Sequence, residues 1–193
     1  EEYPSSYIAD IQRRHRWIRG DWQIASWFTP FVPGADKRLH KNPLSALSKW
    51  KIFDNIRRSL VPVSLLAILL TGWIVLKNPV FWSLTIVGII FLPTIINFSW
   101  QLFRKPSDVL FIQHLIYTSR SLKDSLIQHV ISIACLPYEA YINTHAILLT
   151  TWRMVISRKK LLQWNPSGNY QFNPKGIISV YKKMWFAPFL AVV

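Results

Sequence analysis

Two apolar runs, residues 60–76 and 80–100, constrain this chain more than any other feature of its sequence. Each approaches the about 20 residues needed to cross a hydrocarbon core. Only Lys77-Asn78-Pro79 separates them. Of the 23 lysines and arginines, eleven precede Ser59, eleven follow Phe103, and Lys77 alone lies between. A lysine at mid-membrane depth costs about 2.5 to 3.5 kcal/mol, so the turn is expected at the far interface, where the ammonium reaches water. Pro62 and Pro93 fall inside the runs, where neighbouring helices tolerate a kink. Arg57-Arg58 and Arg104-Lys105 flank the pair and place both ends on the cytoplasmic side by the positive-inside rule. A buried helical hairpin of a soluble protein is the competing reading, and runs this long with one charge argue against it. The expected class is an all-α membrane protein, with a transmembrane helical hairpin and cytoplasmic amphipathic interfacial helices.

The flanks read as helices of another kind. Asn42-Pro43 resembles an N-cap with proline at the first helical position. Ala46, Trp50, Phe53, Ile56 and Leu60 then recur at helical steps, opposite a polar face of Ser48, Lys49, Lys51, Asn55 and Arg58. This helix is expected to lie in the interface and feed directly into the first span. Before it, Pro30, Pro33 and Gly34 break the chain, and residues 36–41 read as a polar loop. After the hairpin, Pro106-Ser107-Asp108 marks a helix start, and residues 109–133 alternate in an amphipathic rather than spanning pattern. Pro137 is expected to end that helix. A second, over 138–156, is diluted by Glu139, Asn143 and His145 and reads as interfacial. Residues 165–169 read as a surface turn, and 184–193 restart an apolar run as a third span would.

Chemistry concentrates in Arg13-Arg14-His15-Arg16-Trp17-Ile18-Arg19-Gly20-Asp21-Trp22. In a helix, Arg13, Arg16 and Gly20 share a face, and Trp17 lies one turn from Arg13. The planar guanidinium fork grips phosphate oxygens in pairs, which a lysine does not. Tryptophan offers a flat apolar face on which a pyranose ring can lie. Gly20 removes a side chain where a ligand or neighbouring backbone approaches closely. A sugar-diphosphate clamp fits these residues. An interfacial helix with arginines on lipid phosphates and tryptophans among headgroups fits them too.

Arg13-x-x-Arg16-Trp17 resembles the (Q/R)xxRW signature of processive membrane glycosyltransferases of the cellulose and hyaluronan synthase type. The wider string is narrower: Glu1-Glu2-Tyr3-Pro4-Ser5-Ser6-Tyr7, His15 to Gln23, and Asn42 to Leu60 resemble the cyclic β-1,2-glucan synthases. So do Leu136-Pro137-Tyr138-Glu139-Ala140 and Ser157-Arg158-Lys159-Lys160-Leu161-Leu162-Gln163-Trp164. The resemblance implies glucose transfer from UDP-glucose to a growing β-1,2-glucan at a bacterial inner membrane, multi-pass with a cytoplasmic N-terminus. It implies that Arg16 contacts the UDP diphosphate and that Trp17 is a platform for the acceptor glucan. Arg13, Gly20, Asp21 and Trp22 complete the expected substrate-binding set. Residues 1–33 would be the C-terminal edge of the glycosyltransferase domain, 34–58 a loop and interfacial helix, and 59–103 the hairpin. Residues 104–183 would be cytoplasmic helices and a loop, and 184–193 the start of a truncated further span. Trp22, Trp27, Phe28 and Phe31 would anchor the chain at headgroup depth or line the mouth of a glucan channel.

What is missing narrows the role. The nine acidic residues form no Asp-x-Asp pair, and in the family the general base lies upstream of the point where this chain begins. No cofactor is therefore expected on this chain; a divalent metal, Mg or Mn, is expected in the catalytic core. Taken alone, the fragment is expected to be inactive. Gly20 and Gly34 are the only glycines in the first seventy residues, too few for a nucleotide-binding βαβ start. His114, His129 and His145 are spaced by fifteen and sixteen, which matches no close-set ligand motif. Cys135 is the only cysteine, so no intramolecular disulfide forms. Glu139 reads as paired with a nearby base. A net charge of +14 suggests nucleic acid, yet 51% hydrophobic residues and two near-spanning runs argue against it. A non-enzymatic membrane scaffold remains the rival, and tolerance of arginine-to-lysine exchange separates the two.

Overall fold

The computed structural model describes residues 7–34, 36 and 38–159, the side chain of Ile8 excepted. The expected turn at 165–169 and the apolar run at 184–193 lie outside the described residues. The chain is mostly helical: α1 Tyr7–Gln23, α2 Ala46–Ile74, α3 Pro79–Phe103 and α4 Phe111–Trp152. A 3-10 turn over Ala25–Phe28 and a π-helical turn over Arg153–Ser157 complete the helical set. The all-α expectation needs one correction. Strands β1 Phe31–Pro33 and β2 Leu39–Lys41 pair antiparallel, with Val32 opposite His40, where a chain break at Pro30, Pro33 and Gly34 and a polar loop over 36–41 were expected. The chain divides into two compact units, residues 1–64 with 137–193, and residues 65–136.

In the first unit the β-hairpin closes around Asp36. Its Oδ1 accepts from the Arg38 N–H at 3.1 Å and meets His40 Nε2 at 2.8 Å. Gly34 donates its N–H to Arg38 at 2.8 Å. A Cβ on Gly34 would collide with the His40 ring, which explains the glycine. Asn42 is buried at 7% exposure, and its Nδ2 donates to the carbonyls of Trp27 (2.6 Å) and Thr29 (2.8 Å). Its Oδ1 accepts from the Leu44 N–H at 2.9 Å. The expected N-cap role of Asn42 is thus corrected. Its amide is occupied in tying the 3-10 turn to the chain entering α2, and Ser45 caps instead, accepting from the Ser48 N–H at 3.2 Å.

Helix α2 runs without interruption from the amphipathic segment into the first apolar run, through Pro62, as expected. In the second unit it turns at Val75–Asn78 into α3. Asn78 takes a left-handed conformation, φ 69°, which asparagine tolerates, and Pro79 opens α3 at its first turn. Gly72 sits where a Cβ would come within 2.5 Å of Trp82 Cβ, so its missing side chain admits the Trp82 side chain of α3. Trp73 Nε1 donates to Ser83 Oγ at 2.9 Å beside it. Leu65, Ile86 and Leu136 are buried together, with Leu69 and Ile90 against them.

By length and composition α2 and α3 are apolar enough to cross a membrane. Much of the apolar surface of α3 is uncovered: Phe81, Leu84, Leu92, Ile96 and Trp100 are all more than half exposed.

Two expectations after the hairpin are corrected. Residues 106–108 do not begin a helix. Helix α4 starts at Phe111, where His114 donates its Nε2–H to the Gln101 carbonyl at 2.9 Å and ties the start of α4 to the end of α3. Nor does Pro137 end it: α4 is one helix of 42 residues. An interior proline costs about 3 kcal/mol. Burial on both sides offsets this, with Leu136, Tyr138 and Ala140 at 6%, 6% and 2% exposure. The charged α4 is not among the helices apolar enough to span.

Gly72→Ala should destabilise the α2–α3 hairpin by about 1–3 kcal/mol through overpacking against Trp82. Gly88→Ala, whose Cβ would meet nothing within 4 Å, should be neutral or stabilise by up to about 1 kcal/mol. Thermal unfolding followed by helical circular dichroism in detergent compares the two.

Candidate functional site

The first unit joins α1, the first half of α2 and the second half of α4 by polar bonds. Glu139 on α4 receives Arg14 Nη2 at 2.9 Å and the Tyr7 hydroxyl at 3.3 Å, both from α1. The expected pairing of Glu139 with a base is therefore present. Ser59, 4% exposed, is the second joint. Its Oγ accepts from Trp22 Nε1 at 2.9 Å, and its carbonyl accepts from Asn143 Nδ2 at 2.8 Å. Ile11 and Ile18, at 4% and 8% exposure, supply the apolar part of the α1 contact.

These joints leave one face of α1 on a cleft of about 770 Å³. Arg14, Arg16, Trp17, Gly20 and Asp21 line it from α1, Asn55, Arg58, Ser59 and Pro62 from α2, and Asn143 from α4. Arg58 pairs with Asp54 at 2.5 Å, and Arg14 with Asp10 and Glu139. Arg16 makes no hydrogen bond or ion pair to a described residue. Trp17 is 51% exposed, its indole standing against the Arg13 guanidinium at 4.8 Å. Gly20 has nothing within 4 Å of where a Cβ would project, so the space it leaves is open to a ligand and unused by neighbouring backbone.

Burial raises the Asp21 carboxyl above its ordinary range, while the amide of Asn55, donating at 3.0 Å, opposes the rise. The pair offers a carboxylate and an amide, the groups that exchange hydrogen bonds with sugar hydroxyls.

Of the residues expected from sequence, the cleft collects Arg16, Trp17, Gly20 and Asp21. It does not collect Arg13, which holds Asp10 at 2.8 Å, or Trp22, spent on Ser59. The cleft also contains residues that the motif does not signal. Asn55 and Arg58 were visible only as part of the polar face of α2, and Asn143 lies one turn beyond Glu139 on α4. Among the described residues no group of three histidine, cysteine or carboxylate side chains is placed to hold a metal. The three histidines noted from sequence are apart in role: His114 meets Gln101, His129 meets Thr94 at 2.6 Å, and His145 meets His15 at 3.1 Å.

No protein-family model matches the chain. The whole chain aligns at 31% identity with the cyclic β-(1,2)-glucan synthase NdvB of Rhizobium meliloti (strain 1021). Along its full length, this chain resembles a cyclic β-1,2-glucan synthase. It spans 7% of that enzyme's length.

His15 stacks on His145 with centroids 5.4 Å apart. Burial, then the charges of His145 and Arg19, lower its pKa to about 4. The unfolded chain takes this proton near pH 6.5, while the folded chain resists until about 4. The stability His15 contributes is thus complete above pH 6.5 and is lost as pH falls toward 4. Unfolding midpoints measured from pH 7 to 4 should fall more steeply for the wild type than for His15→Gln.

Proposed function

We propose that this chain is part of a membrane glucosyltransferase that moves glucose from UDP-glucose onto a growing β-1,2-glucan. Arg16 holds the diphosphate, and Trp17 supports the acceptor. The observation that carries this reading is the cleft itself: a guanidinium that pairs with no described residue and a half-exposed indole open onto one space, in a chain similar to a glucan synthase over its whole length. Charge builds on UDP as it departs, and a cation already in place stabilises that charge more in the transition state than in the ground state. Asp21 and Asn55 serve as hydroxyl partners. In this reading the general base and the divalent metal, Mg or Mn, belong to the catalytic core of the complete enzyme.

The membrane setting is part of the same proposal. Helices α2 and α3 form a transmembrane hairpin, Lys77 stands at the far interface, and the flanking arginines hold both ends in the cytoplasm. Phe28, Trp50 and Phe53, ring to ring at 5.6 to 6.2 Å and each more than 40% exposed, lie at the headgroup layer. The proposed setting is a bacterial inner membrane with a cytoplasmic N-terminus, supported by the likeness to a bacterial glucan synthase and by the flanking basic residues.

In the complete enzyme, Arg16→Lys should lower glucose incorporation by about 3 kcal/mol in transition-state terms, roughly a hundredfold, and Trp17→Ala should weaken acceptor use. Gly20→Ala should leave helicity intact and reduce incorporation by filling the cleft. Radiolabelled glucose uptake into polymer checks all three. Undiminished incorporation by Arg16→Lys would favour a lipid-contact scaffold instead. The chain alone, given UDP-glucose and Mg or Mn, should form no polymer.

A further inference from the structure

Among the described residues Arg14, Arg16 and Arg58 line the cleft, and they differ in how firmly each is held. Arg14 is bound twice, by Asp10 at 3.0 Å and by Glu139 at 2.9 Å. Arg16 pairs with no described residue. Arg58 stands between these extremes: its Nη2 reaches Asp54 Oδ2 at 2.5 Å, one turn back on α2. Asp54 does not depend on it. Arg57 donates to the other carboxylate oxygen, Oδ1, through Nη2 at 2.7 Å and Nε at 3.1 Å. One carboxylate thus serves two guanidiniums, and it stays paired and hydrogen-bonded when Arg58 leaves. The Arg58 side chain is 71% exposed, so its rotamers are free to change and its ion pair is of the weak, solvated kind.

The ligand proposed for this cleft asks for more than Arg16 supplies. A nucleotide diphosphate is a multiply charged anion, and its charge grows as the sugar leaves. Arg16 offers one fork, and Arg14 is spent on α1 and α4. Turning Arg58 from Asp54 to a phosphate oxygen exchanges an exposed ion pair for a charge-assisted hydrogen bond inside a cleft. We propose that Arg58 is a second diphosphate ligand, held by Asp54 while the cleft is empty and released onto the nucleotide when it binds. The inference rests on the sugar-nucleotide reading and adds to it a residue outside the motif, carried by the helix that continues into the first apolar run.

The complete enzyme tests this by competition, with UDP and uridine as inhibitors of glucose incorporation from UDP-glucose. Uridine lacks the phosphates, so its inhibition constant follows the fold of the site and not the clamp. Arg58→Gln should weaken UDP about tenfold, the scale of one charge-assisted hydrogen bond, and leave uridine unchanged. Asp54→Asn frees Arg58 and should tighten UDP about threefold, the scale of an exposed ion pair given up. That gain should vanish when Arg58→Gln is added, and a damaged fold does not produce a tighter site. Lys51→Gln, exposed on the same helix and outside the cleft lining, should change neither inhibitor. Equal losses of UDP and uridine in Arg58→Gln would overturn the proposal. So would an unchanged UDP constant in that variant, a gain in Asp54→Asn that survives Arg58→Gln, or a matching loss in Lys51→Gln. The two readings fail separately. Full UDP affinity in Arg16→Lys sinks the sugar-nucleotide reading itself, whereas a loss there with none in Arg58→Gln sinks only the second ligand.

Discussion

The position of the motif helix depends on Glu139. Helix α1 carries four arginines and buries few apolar side chains, so an apolar stripe alone does not set its rotation. Arg14 and Tyr7 both reach the same carboxylate oxygen, and Arg14 also holds Asp10 at 3.0 Å. The Glu139 side chain is 18% exposed, so this pair is worth more than a fully solvated one, and its loss would leave a carboxylate poorly hydrated. Fixing Arg14 fixes the azimuth of its neighbours. Arg16, Trp17 and Gly20 are consequently turned toward α2, and His15 and Arg19 toward the end of α4.

The same scarcity of carboxylates decides what the cleft can bind. Nine acids face 23 lysines and arginines, and Asp10, Asp36, Asp54 and Glu139 are already engaged with cations or a histidine. Among the described residues neither Arg16, which lines the cleft, nor Arg19, which lines neither the cleft nor the groove at the end of α4, pairs with a carboxylate. The two concavities differ. The cleft has Asp21, Asn55 and Asn143 in its lining, which suits a polyhydroxylated ligand, and the groove is almost wholly aliphatic and aromatic.

Much of this was legible in the sequence because it follows local rules. Lys77-Asn78-Pro79 combines a charge, a residue that tolerates left-handed backbone and a helix-starting proline, and the chain reverses there. The helical spacing from Ala46 to Leu60 runs in phase into the apolar segment, and α2 is continuous. Other elements were decided by partners remote in sequence. Pro137 is held inside α4 by burial on both sides, and Asn42 is drawn from its capping role by carbonyls thirteen and fifteen residues earlier. The strands at 31–33 and 39–41 are too short to show a period and include Pro33. In the cleft, Arg16, Trp17, Gly20 and Asp21 were visible as one contiguous motif. Asn55, Arg58 and Asn143 required the packing of three helices.

Gly20 separates what the fold requires from what a ligand requires. A glycine inside a helix costs about 1 kcal/mol relative to alanine, and α1 is a short helix with little apolar burial to offset it. Gly34 and Gly72 each have a steric reason, since a Cβ would strike His40 or Trp82. At Gly20 no atom of the described residues beyond its own stretch of helix stands within 4 Å of that position, so nothing among them forbids alanine. The residue lines the cleft between Arg16 and Asp21, on the face where Trp17 stands exposed. Its absent methyl keeps open a space that the protein itself does not fill, and a ring lying on an indole needs such clearance along the helix. In the proposed reading the destabilising choice serves occupancy of the cleft rather than packing of the described residues.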